Sequence, residues 1–141
     1  MKNLWPESFK EYDVEPPKVI FEQQAKLLPK LTGDLVYAEV AELSTREALY
    51  DGLQQDDFRY GFYLKGKFLE NYSFKVLSFS HDIAFYPAKL NIDSEIKKEL
   101  NILSRFFKVE SPVGLESFLQ QLFSSNRLSK VIGSIMRLSK T

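Results

Sequence analysis

The sequence contains no cysteine, and it contains only one histidine, His81. The missing cysteine excludes disulfide bonds, thiolate nucleophiles and every zinc site that needs cysteine ligands. The single histidine excludes metal sites in which several histidines and aspartates surround the ion. From the residues that remain we predict no catalytic residue, no metal ligand and no bound cofactor.

Long apolar runs are missing as well. No stretch approaches the roughly 18–20 apolar residues that a membrane-spanning helix needs. The first residues, MKNLWPESFKEYDVEPP, lack the apolar segment of a secretory signal. Together with the lack of cysteine, these features favour a soluble, cytoplasmic protein without a transmembrane segment.

The residues that are abundant suit a folded domain. The chain has 141 residues, of which 44% are hydrophobic and 27% are charged, and this balance is typical of globular proteins. Aromatic residues reach 14%, with twelve phenylalanines and seven tyrosines, and large rings suit both a core and pleated strands. We predict a single domain over residues 1–141, whose first 16 residues form an extended arm.

The spacing of apolar residues predicts the order of the elements. A helical pattern begins at Pro17 and ends before Gly33. Ser44 and Glu47 have the spacing of a capping box, which indicates a short second helix. Two amphipathic patterns at the end of the chain, separated by a short polar junction, predict a helical hairpin. The predicted strands are DLVYAEVAEL, FRYGFYLKGKFL, YSFKVLSFS, IAFYPAKLNI and the short SRFFKVE.

These elements predict an α+β fold. Short connections between consecutive strands favour antiparallel hairpins, because parallel strands need long crossovers. We expect an N-terminal helix, an antiparallel sheet of four to five strands and a C-terminal helical hairpin, with helices packed on one face of the sheet.

Three local expectations accompany this fold. Pro29 should kink or loosen the first helix, because its ring clashes with the carbonyl of Ala25. Trp5 should anchor the arm against the body of the domain. The strand that starts near Ile83 should lie at an edge or carry a bulge, because Pro87 has no N–H to donate.

Two stretches come close to nucleotide-binding motifs. GFYLKGKF, from Gly61 to Phe68, nearly matches the phosphate-binding loop G-x-x-x-x-G-K-[ST]. In this chain Phe68 replaces the hydroxyl that contacts magnesium, and no helical pattern follows. Tyr60-Gly61-Phe62 matches only part of the aromatic strand with which RNA-recognition motifs stack on bases. A strand and a turn explain both stretches, so we predict no strong interaction with nucleic acid.

His81 and Asp82 are adjacent and have serines nearby, which invites comparison with a Ser-His-Asp triad. Neighbouring residues of a strand project to opposite faces and rarely converge, and the chain has no G-x-S-x-G elbow. We predict instead a polar hairpin tip, in which Asp82 accepts turn N–H groups and His81 packs against Phe79 or Phe85. A His81 ring that faces a cavity would favour acid–base chemistry.

Charges are unevenly distributed along the chain, although the net charge is zero. The segment from Asp34 to Asp57 contains seven acidic residues and one basic residue, whereas no acidic residue follows Glu116. A surface with charge of one sign steers association with a partner of the opposite sign. The residues that we predict to bind a partner are Glu47, Asp51, Asp56, Asp57, Arg127 and Lys130.

Two hypotheses about function follow. The first is a non-catalytic protein-interaction module, immunity-like or adaptor-like, that binds another protein through a charged surface. The second is a small-molecule-binding domain or enzyme with an aromatic-lined pocket between the sheet and the helices. The lining of such a pocket would come from Tyr60, Phe62, Phe74 or Phe85. The sequence leaves the oligomeric state open.

Overall fold

The computed structural model describes residues 1–56 and 58–141. Within these residues the chain forms five helices and one five-stranded sheet. The helices are α1 (Pro17–Leu31), α2 (Thr45–Tyr50), α3 (Ser94–Glu99), α4 (Pro112–Phe123) and α5 (Asn126–Leu138). The strands are β1 (Val36–Glu42), β2 (Phe58–Gly66), β3 (Leu69–His81), β4 (Ala88–Ile92) and β5 (Phe107–Val109). The predicted α+β class, with its N-terminal helix and C-terminal helical hairpin, is confirmed.

The strands pair antiparallel in chain order, β1-β2-β3-β4-β5, so the sheet is a meander. The register sets Tyr60 opposite Phe79 and Phe62 opposite Leu77. Residues that face each other in an antiparallel pair project to the same side. Phe79 stacks on Phe21 of α1, with 4.2 Å between the ring centroids. This side of the sheet is therefore the one that the helices cover.

The main core lies between that side of the sheet and the helices α1, α4 and α5. Each large side chain that leaves water there contributes about 1.5–3 kcal/mol. The apolar stripe predicted for α4 is buried as expected, since its leucines and Phe118 are among the core residues. The largest fully buried side chains of this core include Ile20, Phe21, Leu64, Leu77, Phe79, Leu90, Ile96, Leu115, Leu122 and Ile135.

The opposite side of the sheet carries the segment of residues 43–56, which includes α2. Ser78 and Ser80 alternate with Leu77 and Phe79 along β3, so they project to this second side. Both serines hydrogen-bond to the segment. A small second core lies beneath it, made of Leu43, Ala48 and Leu53 with the partly buried Phe106. Helices α1, α4 and α5 thus share one side of the sheet, and the short α2 is associated with the other.

Side chains cap the starts of α2, α3, α4 and α5. Ser44 and Glu47 form a complete capping box at α2. Asp93, Ser111 and Ser125 each accept a backbone N–H at the starts of α3, α4 and α5. Such caps satisfy N–H groups that the first turn of a helix leaves without a partner. No helix among the described residues combines the length and the apolar character that crossing a membrane requires.

The turn after β3 differs from the prediction. The strand expected from Ile83 onward begins only at Ala88, because residues 82–87 form a turn. Phe85 has a φ of 75°, which an extended strand does not allow. Alternation of apolar residues suggested a strand here, but the local hydrogen bonds of Asp82 favour the turn.

The expectation for Trp5 is also wrong. Its side chain is 75% exposed, and its aromatic contact is with Phe9 in the same arm, at 6.0 Å between centroids. The arm meets the body nearer to α1, where the ring of Tyr12 contacts Phe85.

Helix α1 continues through Pro29 and ends at Leu31. Only the last turn follows this proline, so few backbone hydrogen bonds depend on it.

Candidate functional site

The predicted acidic residues are engaged in contacts within the domain. Glu47 accepts the backbone N–H of Ser44 in the capping box and also the hydroxyl of Tyr63, at 3.0 Å. Asp56 accepts the hydroxyl of Ser80 at 2.7 Å and pairs with Lys89 at 2.9 Å. Asp57 lies outside the described residues. The charges of these carboxylates therefore help to fasten residues 43–56 to the sheet.

Asp51 is the most deeply placed of these carboxylates, with 6% of the residue exposed. Its Oδ2 accepts hydrogen bonds from the ammonium of Lys75, at 2.6 Å, and from the hydroxyl of Ser78. Its backbone carbonyl accepts the side-chain amide of Asn91 at 3.3 Å. The cluster links the end of α2 to both β3 and β4. A buried charge of this kind is tolerated because it is paired and hydrogen-bonded.

Enzymes with a nucleophilic side chain use serine, lysine and aspartate, and the cluster around Asp51 contains all three residue types. Ser78 is 1% exposed, and its hydroxyl donates to Asp51 instead of facing a base across open space. Lys75 forms an ion pair with the same carboxylate oxygen. Asp51, Lys75 and Ser78 line an open depression of about 230 Å³, but the Ser78 hydroxyl is directed at the carboxylate of Asp51 and only 1% of the residue is exposed. The arrangement is suited to holding the second side of the sheet together.

Tyr63 extends the same polar layer toward β1. Burial is the main cause that raises the pKa of Tyr63 to about 12, and the hydrogen bond to Glu47 adds to it. The charges of Asp51 and Glu39 raise this pKa further. Gly61 leaves the space that the ring occupies, because a Cβ there would lie 2.5 Å from the hydroxyl of Tyr63. The outer end of the ring therefore occupies the space next to Gly61, and its hydroxyl is held by Glu47.

The two predicted basic residues do come together on the surface. Arg127 and Lys130 line an open groove of about 260 Å³ between α5 and the start of β3. Because α5 turns about 100° per residue, Arg127, Lys130 and Leu138 lie on one face of it. Tyr72 of β3 lies in the same groove. We call this feature the basic groove; its lining residues are Leu69, Tyr72, Arg127, Lys130, Val131, Ser134, Ile135 and Leu138.

Arg127 is held at the edge of the basic groove. Its guanidinium lies over the ring of Phe74, 5.3 Å from the centroid, and its Nε is 3.7 Å from Asp93. That Nε is buried and donates no hydrogen bond within the described residues. Glu99 accepts the backbone N–H groups of Asn126 and Arg127, which fixes the start of α5. Lys130, one turn further on, is exposed to solvent.

A second groove, of about 320 Å³, opens between α1 and α5. We call it the apolar groove, because Gln24 and Thr32 are its only polar lining residues in the described part of the chain. Thr32 already hydrogen-bonds to backbone groups of α1 and β1. The remaining lining residues are Leu27, Leu28, Leu31, Ala38, Phe62, Leu64, Phe123, Leu128, Ile132 and Met136.

The apolar groove lies between sheet and helices, where the second hypothesis placed a pocket. Of the four aromatic residues that the sequence suggested, Phe62 lines it, and Tyr60, Phe74 and Phe85 lie elsewhere. The sequence missed the exposure of Leu27 and Leu31, which have the spacing of buried positions. Around α1 both lie within about 20° of the buried Ile20, so the sequence carried no signal that separates them from core positions.

His81 is buried and not exposed at a hairpin tip. It is the last residue of β3, with 5% of its surface exposed, and its ring stacks on Phe58 at 5.3 Å between centroids. Its Nδ1 lies 2.6 Å from the carbonyl oxygen of Asp82, and the ring edge meets Phe85. The predicted contact with Phe85 and the predicted Asp82 turn are confirmed. Both grooves are lined by other residues, so His81 belongs to an aromatic cluster at the end of the strand.

The described residues contain no group of three or more histidine, aspartate or glutamate side chains placed to hold a metal ion. No protein-family model matches the chain, and no curated protein or solved structure is significantly similar to it. A functional assignment therefore depends on the geometry of the chain itself.

Proposed function

We propose that this domain is a non-catalytic protein-interaction module, adaptor-like or immunity-like, and that it binds an acidic surface of another protein through the basic groove. The observation that supports this proposal is the meeting of Arg127 and Lys130 with the exposed side chains of Tyr72 and Leu138. Tyrosine and arginine are enriched at the energetic centres of interfaces, and charge around them raises the association rate.

The acidic residues between Asp34 and Asp57 are better explained by contacts within the domain than by binding of a partner. Asp51 and Asp56 are opposed by Lys75 and Lys89 and are bonded to the sheet, so little of their charge is free to attract a basic partner. A partner that captured them would have to break these contacts, which would cost stability. Lys130 of the basic groove is exposed, so a partner can reach its ammonium without breaking such a contact.

A small ligand in the apolar groove is less well supported. Ligand sites combine an apolar lining with a few convergent polar groups that fix orientation. In the apolar groove the hydroxyl of Thr32 is already bonded to the backbone, and Gln24 lies at one end of the lining. The groove offers apolar contact area with little means of selecting one small molecule. This favours a polypeptide over a small ligand as its occupant.

The test of the proposed function is partner capture from the native host with the immobilised full chain. The wild type should retain a protein at about 0.1 M salt and lose most of it at about 1 M, because the Debye length falls from about 10 to about 3 Å. Lys130→Glu should lower this retention by about tenfold or more, and Tyr72→Ala should do the same.

Lys108→Glu is the matched control. Lys108 is exposed on the edge strand β5, so the change in net charge is the same but lies away from the basic groove. This variant should retain the partner as the wild type does. Equal losses in Lys130→Glu and Lys108→Glu would point to net charge alone, and equal retention in both would remove the basic groove from the interaction. Unchanged circular dichroism verifies that each variant is folded.

A further inference from the structure

The N-terminal arm, residues 1–15, presents large apolar side chains to water. Leu4, Trp5, Phe9 and Tyr12 are all exposed, and only Tyr12 has an aromatic contact with the body of the domain. Exposed aromatic residues that stand close together mark interaction sites more often than isolated ones do. The arm therefore has the composition of a binding segment.

The arm is attached to its own chain at the end of α1 that lies away from the apolar groove. The hydroxyl of Tyr86 donates to the carbonyl of Glu15 at 2.9 Å, and Tyr12 meets Phe85 at 5.5 Å between centroids. Both contacts lie beside the start of α1. The apolar groove is formed by the other half of that helix, from Gln24 to Leu31. Trp5 and Phe9 do not line that groove and remain exposed, so both rings are available to a different molecule.

We propose that the apolar groove of one copy of this chain receives the N-terminal arm of a second copy. Trp5 and Phe9 are the anchoring side chains, and the groove has the volume for a large ring, at about 320 Å³. Leu27 and Leu31 line the groove but remain largely exposed, which leaves apolar surface for the arm to cover.

Charge complementarity supports this occupant. The arm contains two lysines and four acidic residues, so its side chains carry a net charge of −2. The two helices that wall the groove contain one acidic residue between them, Glu22. Outside the basic groove, the exposed basic residues on or just beyond these helices are Lys26, Lys30, Arg137 and Lys140.

The area that would be buried is also sufficient. Trp5 and Phe9 each offer about 150–250 Å² of surface. Because the contact is reciprocal, four such rings bring about 600–1,000 Å², and the groove surface that they cover takes the total to about 1,000 Å², the lower bound for a specific interface. Each copy both gives an arm and receives one, so the assembly closes as a two-fold dimer.

The oligomeric state tests this proposal, with Trp5 as a built-in probe, because it is the only tryptophan of the chain. Sedimentation of the wild type at increasing concentration should show a dimer, and the emission of Trp5 should shift to the blue as the dimer forms. Trp5→Ala and Leu31→Glu should each raise the dimer dissociation constant by about tenfold or more. Leu103→Glu is the matched control, because Leu103 is 98% exposed in the α3–β5 connection; it should leave the dimer unchanged.

Mixing two variants tests the arm–groove contact directly. Trp5→Ala retains an intact groove, and Leu31→Glu retains an intact arm, so together they form one complete contact. Only the Leu31→Glu chain carries a tryptophan, and its emission should shift to the blue when the Trp5→Ala chain is added. Addition of the double variant, which lacks both partners of the contact, should produce no shift.

Three results would overturn the proposal. A wild-type chain that stays monomeric with red-shifted Trp5 emission would show a free arm, and a monomer with blue-shifted emission would show an arm in its own groove. A dimer that Leu31→Glu leaves intact, or that Leu103→Glu weakens equally, would show a different interface. Lys130→Glu should not affect the dimer, so failure of this proposal and failure of the basic groove as a partner site are separable.

Discussion

At the residue scale, Tyr63 couples the stability of the domain to pH. Its pKa is raised to about 12, first by burial and then by Glu47. The folded state therefore favours the neutral phenol, whose ordinary pKa is 10.0. The stabilisation from this residue is complete below about pH 10 and is lost as the pH rises toward 12.

We expect the free energy of unfolding to fall between pH 10 and pH 12, and to fall less steeply in Tyr63→Phe. Urea unfolding followed by circular dichroism at several pH values measures the slope. Tyr86, with a pKa of about 12 raised mainly by burial, contributes to the same decline, so Tyr86→Phe should flatten it as well. The exposed Tyr50 provides the control, and a Tyr50→Phe slope as shallow as that of Tyr63→Phe would contradict the assignment.

The contacts of single acidic residues were beyond the reach of the sequence. Asp51 meets Lys75 and Ser78, which lie 24 and 27 positions away in the chain. Strict strand alternation puts Lys75 and Ser78 on opposite sides, whereas the register shift between Phe62 and Tyr63 lets both reach Asp51. A run of acidic residues predicts a charged surface. Only the position of the segment on the sheet shows that its carboxylates are engaged in contacts within the domain. That position depends on long-range packing, which local patterns do not encode.

At the element scale, the boundaries of the helices were predictable where a cap or a glycine defines them. The capping box of α2 was predicted because Ser44 and Glu47 lie within four residues of each other. The strand predicted from Ile83 failed because turn hydrogen bonds of Asp82 outweighed an alternating pattern of only a few residues. A cap formed by residues close in sequence could be predicted. Which of two competing local patterns would win, the alternation of a strand or the turn at Asp82, could not.

Two glycines separate the effect of space from the effect of backbone conformation. A Cβ at Gly133, within α5, or at Gly33, after α1, would meet no atom within 4 Å. Gly133→Ala should raise the free energy of unfolding by about 0.5–1 kcal/mol, because alanine favours the helix. Gly33→Ala should lower it, because Gly33 has a φ of 59° that alanine adopts only with strain.

Urea unfolding of both variants measures these changes. Equal effects of the two substitutions would mean that helix propensity and backbone strain do not govern these positions. Gly66→Ala adds a third reference, because its Cβ would lie 2.8 Å from Ile135. It should destabilise the domain through overpacking at the contact between β2 and α5.

At the scale of the whole molecule, the sheet separates two unequal cores. The main core joins β1 to β5 with α1, α3, α4 and α5, whereas the second core has only three buried apolar residues, Leu43, Ala48 and Leu53. So small an apolar cluster supplies little stabilisation. The polar contacts of Asp51, Asp56 and Glu47 therefore carry a large share of what holds residues 43–56 in place. We infer that this segment opens before the rest of the domain unfolds.

Asp51→Asn tests this division of the molecule. The substitution removes the charge that pairs with Lys75 and weakens the acceptor of Ser78, so it should lower the free energy of unfolding by about 1.5–3 kcal/mol. Glu39→Gln is the control, because its pair with Lys65 is exposed and should contribute less than about 1 kcal/mol. Hydrogen exchange then locates the loss: amides of α2 should exchange much faster in Asp51→Asn, while those of β2 and β3 remain protected. Faster exchange spread equally over α2, β2 and β3 would show instead that the Asp51 cluster stabilises the sheet as a whole, and that the two cores unfold as one unit.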